Sequence, residues 1–397
     1  MKDTLEGLEE FAVEVIYGRR RDLAASTLRV LLRGLSALWR AGVSLRHALY
    51  RHRLLHSRHL GCFVISIGNL TVGGTGKTPV VEMLARSLIQ RGRRVAVLSR
   101  GYKSEKPPAD PVARRRLPGR RRLAPPRIVS NGSQVLLESR YAGDEPFMLA
   151  SNLHGVPVLV DIDRVHAGAF AVREFGSDTL LLDDGLQYIR LGRRLNVVLV
   201  DSTEPFGTGR LLPGGTLREP PSGLRRAHYI FLTKCDGHPQ DQLVDRIRRY
   251  NRTAGIIQCT HSPRYLQNVA TGERLPLGAL DDAYIGVMCG IASPRSLVTS
   301  LTQLGANVAL RRYFNDHHRY RRREVQHFSE LCIDRDLSMI VTTEKDAVRL
   351  PNLREHEVPI YFLRVEIEIL SGDDVWERCI SRICHPVLPR RLALDPI

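Results

Sequence analysis

Apolar and polar positions alternate along this chain in two recurring ways. Phe63-Val64-Ile65-Ser66-Ile67 is short, apolar and partly β-branched, which predicts a buried strand over 62–67. Similar runs predict strands near 178–182, 228–233, 255–259, 284–289 and 338–342, with helical stretches between them. Helices are expected near 78–90, 147–153 and 373–383. Strands and helices that take turns in this way specify an α/β protein. With 397 residues the chain is long enough for two domains with well-buried cores.

A different pattern precedes the first strand, in region 1–60. Leu28, Leu31, Leu32, Leu35, Leu38 and Trp39 recur at helical spacing over 27–50, with Arg29, Arg33, Arg40 and Arg46 beside or opposite them. Such a helix can lie in a membrane interface or pack its stripe on its own domain, and composition does not separate the two. Charge sharpens the question. The net charge is +17, and two stretches hold all of the excess. Residues 17–60 carry ten Arg against Asp22, and residues 100–127 carry ten Lys or Arg against Glu105 and Asp110. A local basic excess points to an anionic partner, nucleic acid or an acidic membrane. Residues 103–127 contain no aromatic platform and no nucleic-acid module occurs, so a nucleic-acid partner is not expected. The Pro- and Arg-rich run SEKPPADPVARRRLPGRRRLAPPR is read as a solvated insertion, with anion contact as the other reading. The seven cysteines are dispersed without metal-binding spacing, as befits reduced thiols in a cytosolic protein. The start MKDTLEGLEEF lacks the features of a secretory signal, and no window is apolar enough to span a membrane.

The chemistry concentrates at GNLTVGGTGKTP, residues 68–79. Strand, Gly-rich turn and helix follow in the order a phosphate loop requires. Thr71, Val72, Gly73, Gly74, Thr75, Gly76, Lys77 and Thr78 form the candidate nucleotide-binding loop, although Thr71 stands where the usual pattern has its first glycine. The glycines let backbone N–H groups face phosphate oxygens at a helix N-terminus. Lys77 would reach the β- and γ-phosphates, and the Thr78 hydroxyl would bind Mg²⁺. Asp183 and Asp184 end an apolar run; adjacent acids there repel unless a cation joins them, or they are a merely solvated turn. Asp144, in AGDEP, is either a helix-start acid or a base able to take a hydroxyl proton. Thr233-Lys234-Cys235-Asp236 resembles a guanine-reading element, which keeps a GTPase in view. A membrane-cycling ATPase would share the loop and the basic helix.

GNLTVGGTGKTPVVE, SRGY at 99–102, AGDEP at 142–146, DDGLQ at 183–187, FGTGRLLPGGTLREP at 206–220 and TEKDAV at 343–348 keep their order along the chain. Together they resemble the tetraacyldisaccharide 4′-kinase family, over about residues 25–365, and that family shares the non-Gly first loop position. The resemblance implies an ATP- and Mg²⁺-dependent kinase that phosphorylates a lipid A precursor disaccharide. It implies a P-loop NTPase-like core and two α/β/α sandwich domains joined by a two-stranded β linker. The P-loop domain would span 61–194 and the second 203–362. Strands at 195–202 and 363–370 are the expected linker, and a helix and tail at 371–397 would return to the first domain. The N-terminal helix would dock a monomer peripherally on the anionic inner leaflet, at the cytoplasmic face of the inner membrane. By the same resemblance Asp144 is the general base supported by His317 in FNDHHRY, and Asp183 and Asp184 serve Mg²⁺ with Thr78. Arg218 and Glu219, in the LREP block, would fall near the cleft between the domains. The family writes DDGxQH where this chain has Tyr188, a weak stand-in for imidazole near neutrality. An altered rate or pH profile is expected, with the extra His318 as a compensating group.

Overall fold

The computed structural model describes residue 7 and residues 11–105, 124–351 and 358–385. Most of the Pro- and Arg-rich insertion (106–123) and the tail beyond 385 lie outside the described residues. After a helical stretch at 11–16 comes helix α1 (Leu23–Arg51), its first turn closed by Asp22, whose side chain accepts from the Ala25 N–H at 2.6 Å. Strand β1 (Phe63–Asn69) then runs through the Gly-rich turn into α2 (Lys77–Gln90). Next come β2 (Val95–Ser99), β3 (Arg127–Asn131), α3 (Ser139–Ala142), α4 (Asp144–Asn152), β4 (Pro157–Val160), α5 (Arg164–Phe175), β5 (Thr179–Leu182) and β6 (Leu195–Asp201). The chain continues with β7 (Tyr229–Thr233), α6 (Asp241–Arg248), β8 (Gly255–Asn268), β9 (Arg274–Leu275), β10 (Tyr284–Cys289), α7 (Pro294–Gln303) and β11 (Asn307–Tyr313). It closes with α8 (Arg322–Ile333), β12 (Met339–Thr343), α9 (Glu344–Ala347), β13 (Ile360–Ser371) and α10 (Asp373–Cys384).

All the described strands join one sheet, in the order β11-β10-β12-β13-β8-β7-β6-β1-β5-β2-β4-β3, with β9 on β8. Pairing is parallel except at β13–β8, β8–β9 and the β3–β4 edge. β1, β2, β5, β6 and β7 are buried at every position, as strands covered by helices on both faces must be. One face of this half packs α2, α4 and α10 against β1 and β2, and Trp376 of α10 meets Phe231 edge-on at 5.9 Å. On the other face Ala167 and Ala171 of α5 pack with Val64, Leu98 and Leu180. The second half has its own two apolar clusters, around Val287 and Val341 and around Phe328 and Ile340. All seven cysteines are free thiols.

The expected linker needs correction. The strand at 195–202 is β6, paired in parallel with both β1 and β7 inside the P-loop half. The long antiparallel pair joining the halves is β8 with β13, from Gln258–Ser371 to Asn268–Tyr361. Residues 203–254, expected in the second domain, supply β7 and α6 to the first half of the sheet. The physical difference is burial: LNVVLVD has no wet face, whereas β8 is only half-buried along its distal part. Arg364 of β13 adds a buried tie, pairing with Glu82 of α2 and with Glu344 at 2.8 Å.

Candidate active site

The Gly-rich loop is shaped from both sides. Thr71, at the position of the missing glycine, is buried, and its Oγ1 and carbonyl accept from Asn69 Nδ2 at 3.2 and 2.9 Å. The next residue is held by a Val72 N–H to Thr216 carbonyl bond of 2.8 Å. Gly76 has φ 78°, and a Cβ there would lie 2.6 Å from His261 Nε2, so a side chain is excluded twice over. Below the loop, Thr233 Oγ1 donates to the Thr75 carbonyl (3.0 Å), and Lys234 pairs with Asp201 at 2.5 Å. Thr233 of the guanine-like element thus braces the loop, whereas Lys234 is held by Asp201 and Asp236 accepts from the His238 N–H in a turn. Lys77 Nζ reaches Asn69 Oδ1 at 3.3 Å and lies 3.8 Å from Asp184 Oδ1.

Asp183 and Asp184 cap β5, and Asp184 takes a left-handed backbone, φ 51°. Ser99 Oγ donates to Asp183 Oδ2 (3.0 Å), and Arg218 Nη1 donates to Asp184 Oδ2 (2.6 Å). Burial, then Glu145 and Asp184, push the Asp183 carboxyl up. Burial also works against the Asp184 charge, but Lys77 and Arg218 outweigh it and hold that carboxyl low. Oδ1 of each aspartate is buried without a hydrogen-bond partner. These two carboxylates at the end of β5, with the buried Thr78 at the start of α2, are a donor set that suits a hard cation. Among the described residues no three His, Cys, Asp or Glu side chains converge on a closed metal cage. An open two-carboxylate site of this kind suits Mg²⁺ shared with nucleotide phosphates.

The second constellation joins the two halves of the molecule. Asp144 starts α4, after Gly143 at φ 93°, and is 9% exposed. Its Oδ2 faces His317 Nδ1 at 3.1 Å, although the two residues are 173 positions apart. Arg349 Nε donates to the same oxygen (2.8 Å), and Arg319 Nη2 lies 3.5 Å from Oδ1. Burial opposes the Asp144 charge, but His317, Arg349 and Arg319 prevail and keep the carboxyl below its ordinary range. His317 itself sits at φ 69°, a strained backbone of the kind functional sites hold. Its ring meets Tyr102 of SRGY edge-on at 5.9 Å.

The family model "Tetraacyldisaccharide-1-P 4'-kinase" matches residues 28–384. The tetraacyldisaccharide 4'-kinase of Anaeromyxobacter dehalogenans is 40% identical over 350 residues, covering 87% of this chain and 88% of the relative. That of Halothermothrix orenii is 33% identical, over 93% of this chain and 96% of the relative. The chain belongs to the tetraacyldisaccharide 4'-kinase family. Among solved structures, "apo" form LpxK from Aquifex aeolicus, in complex with ATP, matches with TM-score 0.68 and 27% identity. That match covers 90% of this chain and all of the other.

Within this kinase family frame, two expected groups sit elsewhere. Tyr188, where the resemblance implies His, donates from its hydroxyl to Asp163 Oδ1 (2.9 Å). His318 does not enter the site either. It is bound to Glu324 at 3.0 Å and stacks on Phe314 at 4.6 Å, so it cannot stand in for the missing imidazole. Conversely, Arg349 and Arg319 escaped the reading of the sequence. The one local signal for Arg349 is its spacing, three residues past Asp346 of TEKDAV, with which it pairs at 3.3 Å.

Proposed function

We propose that this chain transfers the γ-phosphoryl group of ATP to the 4′-hydroxyl of a tetraacyl glucosamine disaccharide 1-phosphate. The observation that carries this reading is the Asp144–His317 pair, 3.1 Å apart and contributed by opposite halves of the molecule. A kinase needs such an acceptor for the proton of its attacking hydroxyl. Asp144 is held ionised by Arg349 and Arg319, and so is a weak base in its own right. With the proton on His317 Nδ1, Asp144 accepts from it; with the proton on Nε2, Nδ1 accepts from Arg349 Nη2 at 3.1 Å, and the proposed reaction uses the first tautomer. Nε2, whose nearest acid is Asp316 at 3.8 Å, is then the atom that takes the hydroxyl proton. Proton acceptance thereby moves from the carboxylate, as expected from sequence, to the imidazole it orients. Lys77, the loop N–H groups and the start of α2 stabilise charge on the transferring group. Thr78, Asp183 and Asp184 would hold Mg²⁺, which would add neutralisation of phosphate charge.

The same proposal places the enzyme on an anionic membrane surface. Leu31, Leu38 and Leu45 of α1 are 60%, 70% and 61% exposed, at seven-residue intervals. The helix is nonetheless fixed to the body: Ser36 Oγ donates to the Leu211 carbonyl (2.9 Å), and Trp39 Nε1 to that of Arg218 (2.9 Å). An apolar row over Arg side chains suits immersion in headgroups. No helix among the described residues is long and apolar enough to cross a membrane.

The test is transfer of labelled phosphate from ATP to the tetraacyl disaccharide 1-phosphate in detergent micelles. Label should reach the lipid, vanish with Lys77→Ala, and fall by about 10²–10⁴ with His317→Ala. Free phosphate with no labelled lipid would transfer the assignment to a membrane-associated ATPase.

A further inference from the structure

The segment that runs beside the phosphate loop is itself held by α1. The Val72 N–H donates to the Thr216 carbonyl (2.8 Å), and Thr71 bridges antiparallel to Leu217. Arg218 follows, its N–H donating to the Leu70 carbonyl (2.7 Å) and its Nη1 to Asp184 Oδ2 (2.6 Å). The Arg218 carbonyl is taken by α1, through the Trp39 indole Nε1 at 2.9 Å. With both N–H and carbonyl held, the Arg218 backbone cannot turn freely, and a long side chain with many rotamers leaves it in one direction. Neighbouring contacts of the helix are close as well. The Gly214 N–H donates to Ser36 Oγ (3.0 Å), and a Cβ at Gly214 would lie 3.0 Å from the Leu32 carbonyl oxygen. His47 Nε2 lies 3.4 Å from Glu219 Oε2. A second line starts from the same helix. Arg46 Nη2 donates to the Gln187 carbonyl (2.6 Å), Gln187 Nε2 donates to the Asn69 carbonyl (3.1 Å), and Asn69 Oδ1 accepts from Lys77 Nζ (3.3 Å). A helix that only anchored the enzyme would use its exposed Leu31, Leu38 and Leu45 row, and directional bonds leading to Asp184 and Lys77 would add nothing.

We propose that α1 is a positioning element of the phosphate side as well as the membrane-facing part of the enzyme: Trp39 fixes Arg218 against Asp184, and Arg46 fixes Gln187 and Asn69 against Lys77. Trp39 and Arg46 are positioning residues, each acting through the group it holds. The exposed leucine row and these polar contacts divide the helix between two tasks, so anchoring and nucleotide binding can be lost separately. The Trp39 line rests on Asp184 as a Mg²⁺ ligand in the kinase reading, whereas the Arg46 line ends at Lys77 and needs no metal.

The experiment is calorimetric titration of ATP, with Mg²⁺ and with a chelator in its place, into wild type, Trp39→Phe and Arg46→Met without lipid or detergent. Both positions are at the surface, so both variants should fold. Trp39→Phe keeps a ring but has no N–H to donate. It should weaken ATP·Mg²⁺ binding about three- to tenfold, the fold-change of one net hydrogen bond, and leave metal-free ATP binding within about twofold of wild type. Arg46→Met should weaken ATP binding as much without the metal as with it. Co-sedimentation with vesicles of phosphatidylethanolamine and phosphatidylglycerol separates the other task, and there Trp39→Phe should behave as wild type does. Wild-type ATP·Mg²⁺ affinity in both variants would overturn the proposal. So would equal losses with and without metal in Trp39→Phe, which mark a general structural defect, or a loss of vesicle binding alone, which makes α1 an anchor only. A wild type that binds ATP equally with and without Mg²⁺ would instead count against Asp184 as a metal ligand. The Arg46→Met titration would then decide by itself, a loss upholding the positioning role of α1 and wild-type affinity refuting it.

Discussion

The phosphate side and the proton side of this site are built on opposite principles. Around Asp144 nearly everything is matched: its Oδ2 takes both His317 and Arg349, and Arg349 also donates to the Gly290 carbonyl at 3.0 Å. On the phosphate side, one buried oxygen each of Asp183 and Asp184 and the Thr75 hydroxyl have no hydrogen-bond partner, although Lys77 lies 3.8 Å from that of Asp184. Buried polar atoms are rarely left unpaired, so the first region is complete in the protein alone and the second is completed by what binds there. The contrast suits the chemistry. A proton acceptor gains from a fixed tautomer and direction, whereas a phosphate cradle must exchange ATP for ADP each turnover. The two regions also meet electrostatically, since Glu145, next to Asp144, helps to raise the Asp183 carboxyl after burial.

The largest expected effect comes from breaking the complete side. Arg349 is fully buried and pairs with Asp144 and Asp346. Arg349→Met would leave Asp144 with His317 and Arg319 alone and Asp346 with no cation, and should cost about 3–5 kcal/mol of stability, the usual penalty for removing one partner of a buried ion pair. The penalty has a pH signature. Burial raises the Asp144 carboxyl, but its cationic neighbours lower it further, so its folded value lies below its unfolded one. Stability from that pairing is therefore present above about pH 4 and lost as pH falls through the depressed value. Thermal unfolding of wild type and Arg349→Met should show a gap that narrows in acid; a gap independent of pH would detach Asp144 from this network.

How much of this was legible in the sequence follows from where each partner lies. The strand, loop and helix at 63–90 were readable because glycine, lysine and threonine at fixed spacing have one structural use, and Lys77 does reach Asp184. Joining Asp144 to His317 needed the family resemblance, since no local pattern links residues 173 apart. The resemblance did not reach Arg349 or Arg319, whose signal is a contact and not a motif. Strand β6 was misread as a linker because a fully buried run and a β-branched linker look alike until the neighbours are known. Tyr188 was recognised as a departure, but which way it points depends on Asp163 and Arg164, which no spacing rule connects to it.

A middle-sized effect should come from filling the incomplete side. A non-hydrolysable ATP analogue with Mg²⁺ at about one hundred times its Kd should stabilise the fold by about 2.7 kcal/mol. Chelating Mg²⁺ should remove much of that gain in wild type. Asp184→Asn, which keeps the shape but removes the charge, should show little difference with and without the metal in a thermal-shift titration. If Mg²⁺ still stabilises Asp184→Asn as it does wild type, the orphaned oxygen of Asp184 is not a metal ligand.

The smallest effect lies beneath the phosphate loop, and it separates packing from catalysis. His261 lies close against Gly76 and is half-buried, and desolvation, followed by the charge of Lys234, lowers its pKa to about 4. The folded state thus prefers the neutral ring, while the unfolded chain binds a proton near pH 6.5. With the folded value depressed, stability is greatest above about pH 6.5 and declines as pH drops toward 4, by about 2 kcal/mol between pH 7 and 5. His261→Asn, which has no proton to gain, should escape that decline, so its stability relative to wild type should rise on acidification. Urea unfolding at the two pH values measures the difference directly. Parallel declines in both proteins would mean that His261 is not held neutral under the loop, and that Gly76 is kept small by the left-handed turn alone.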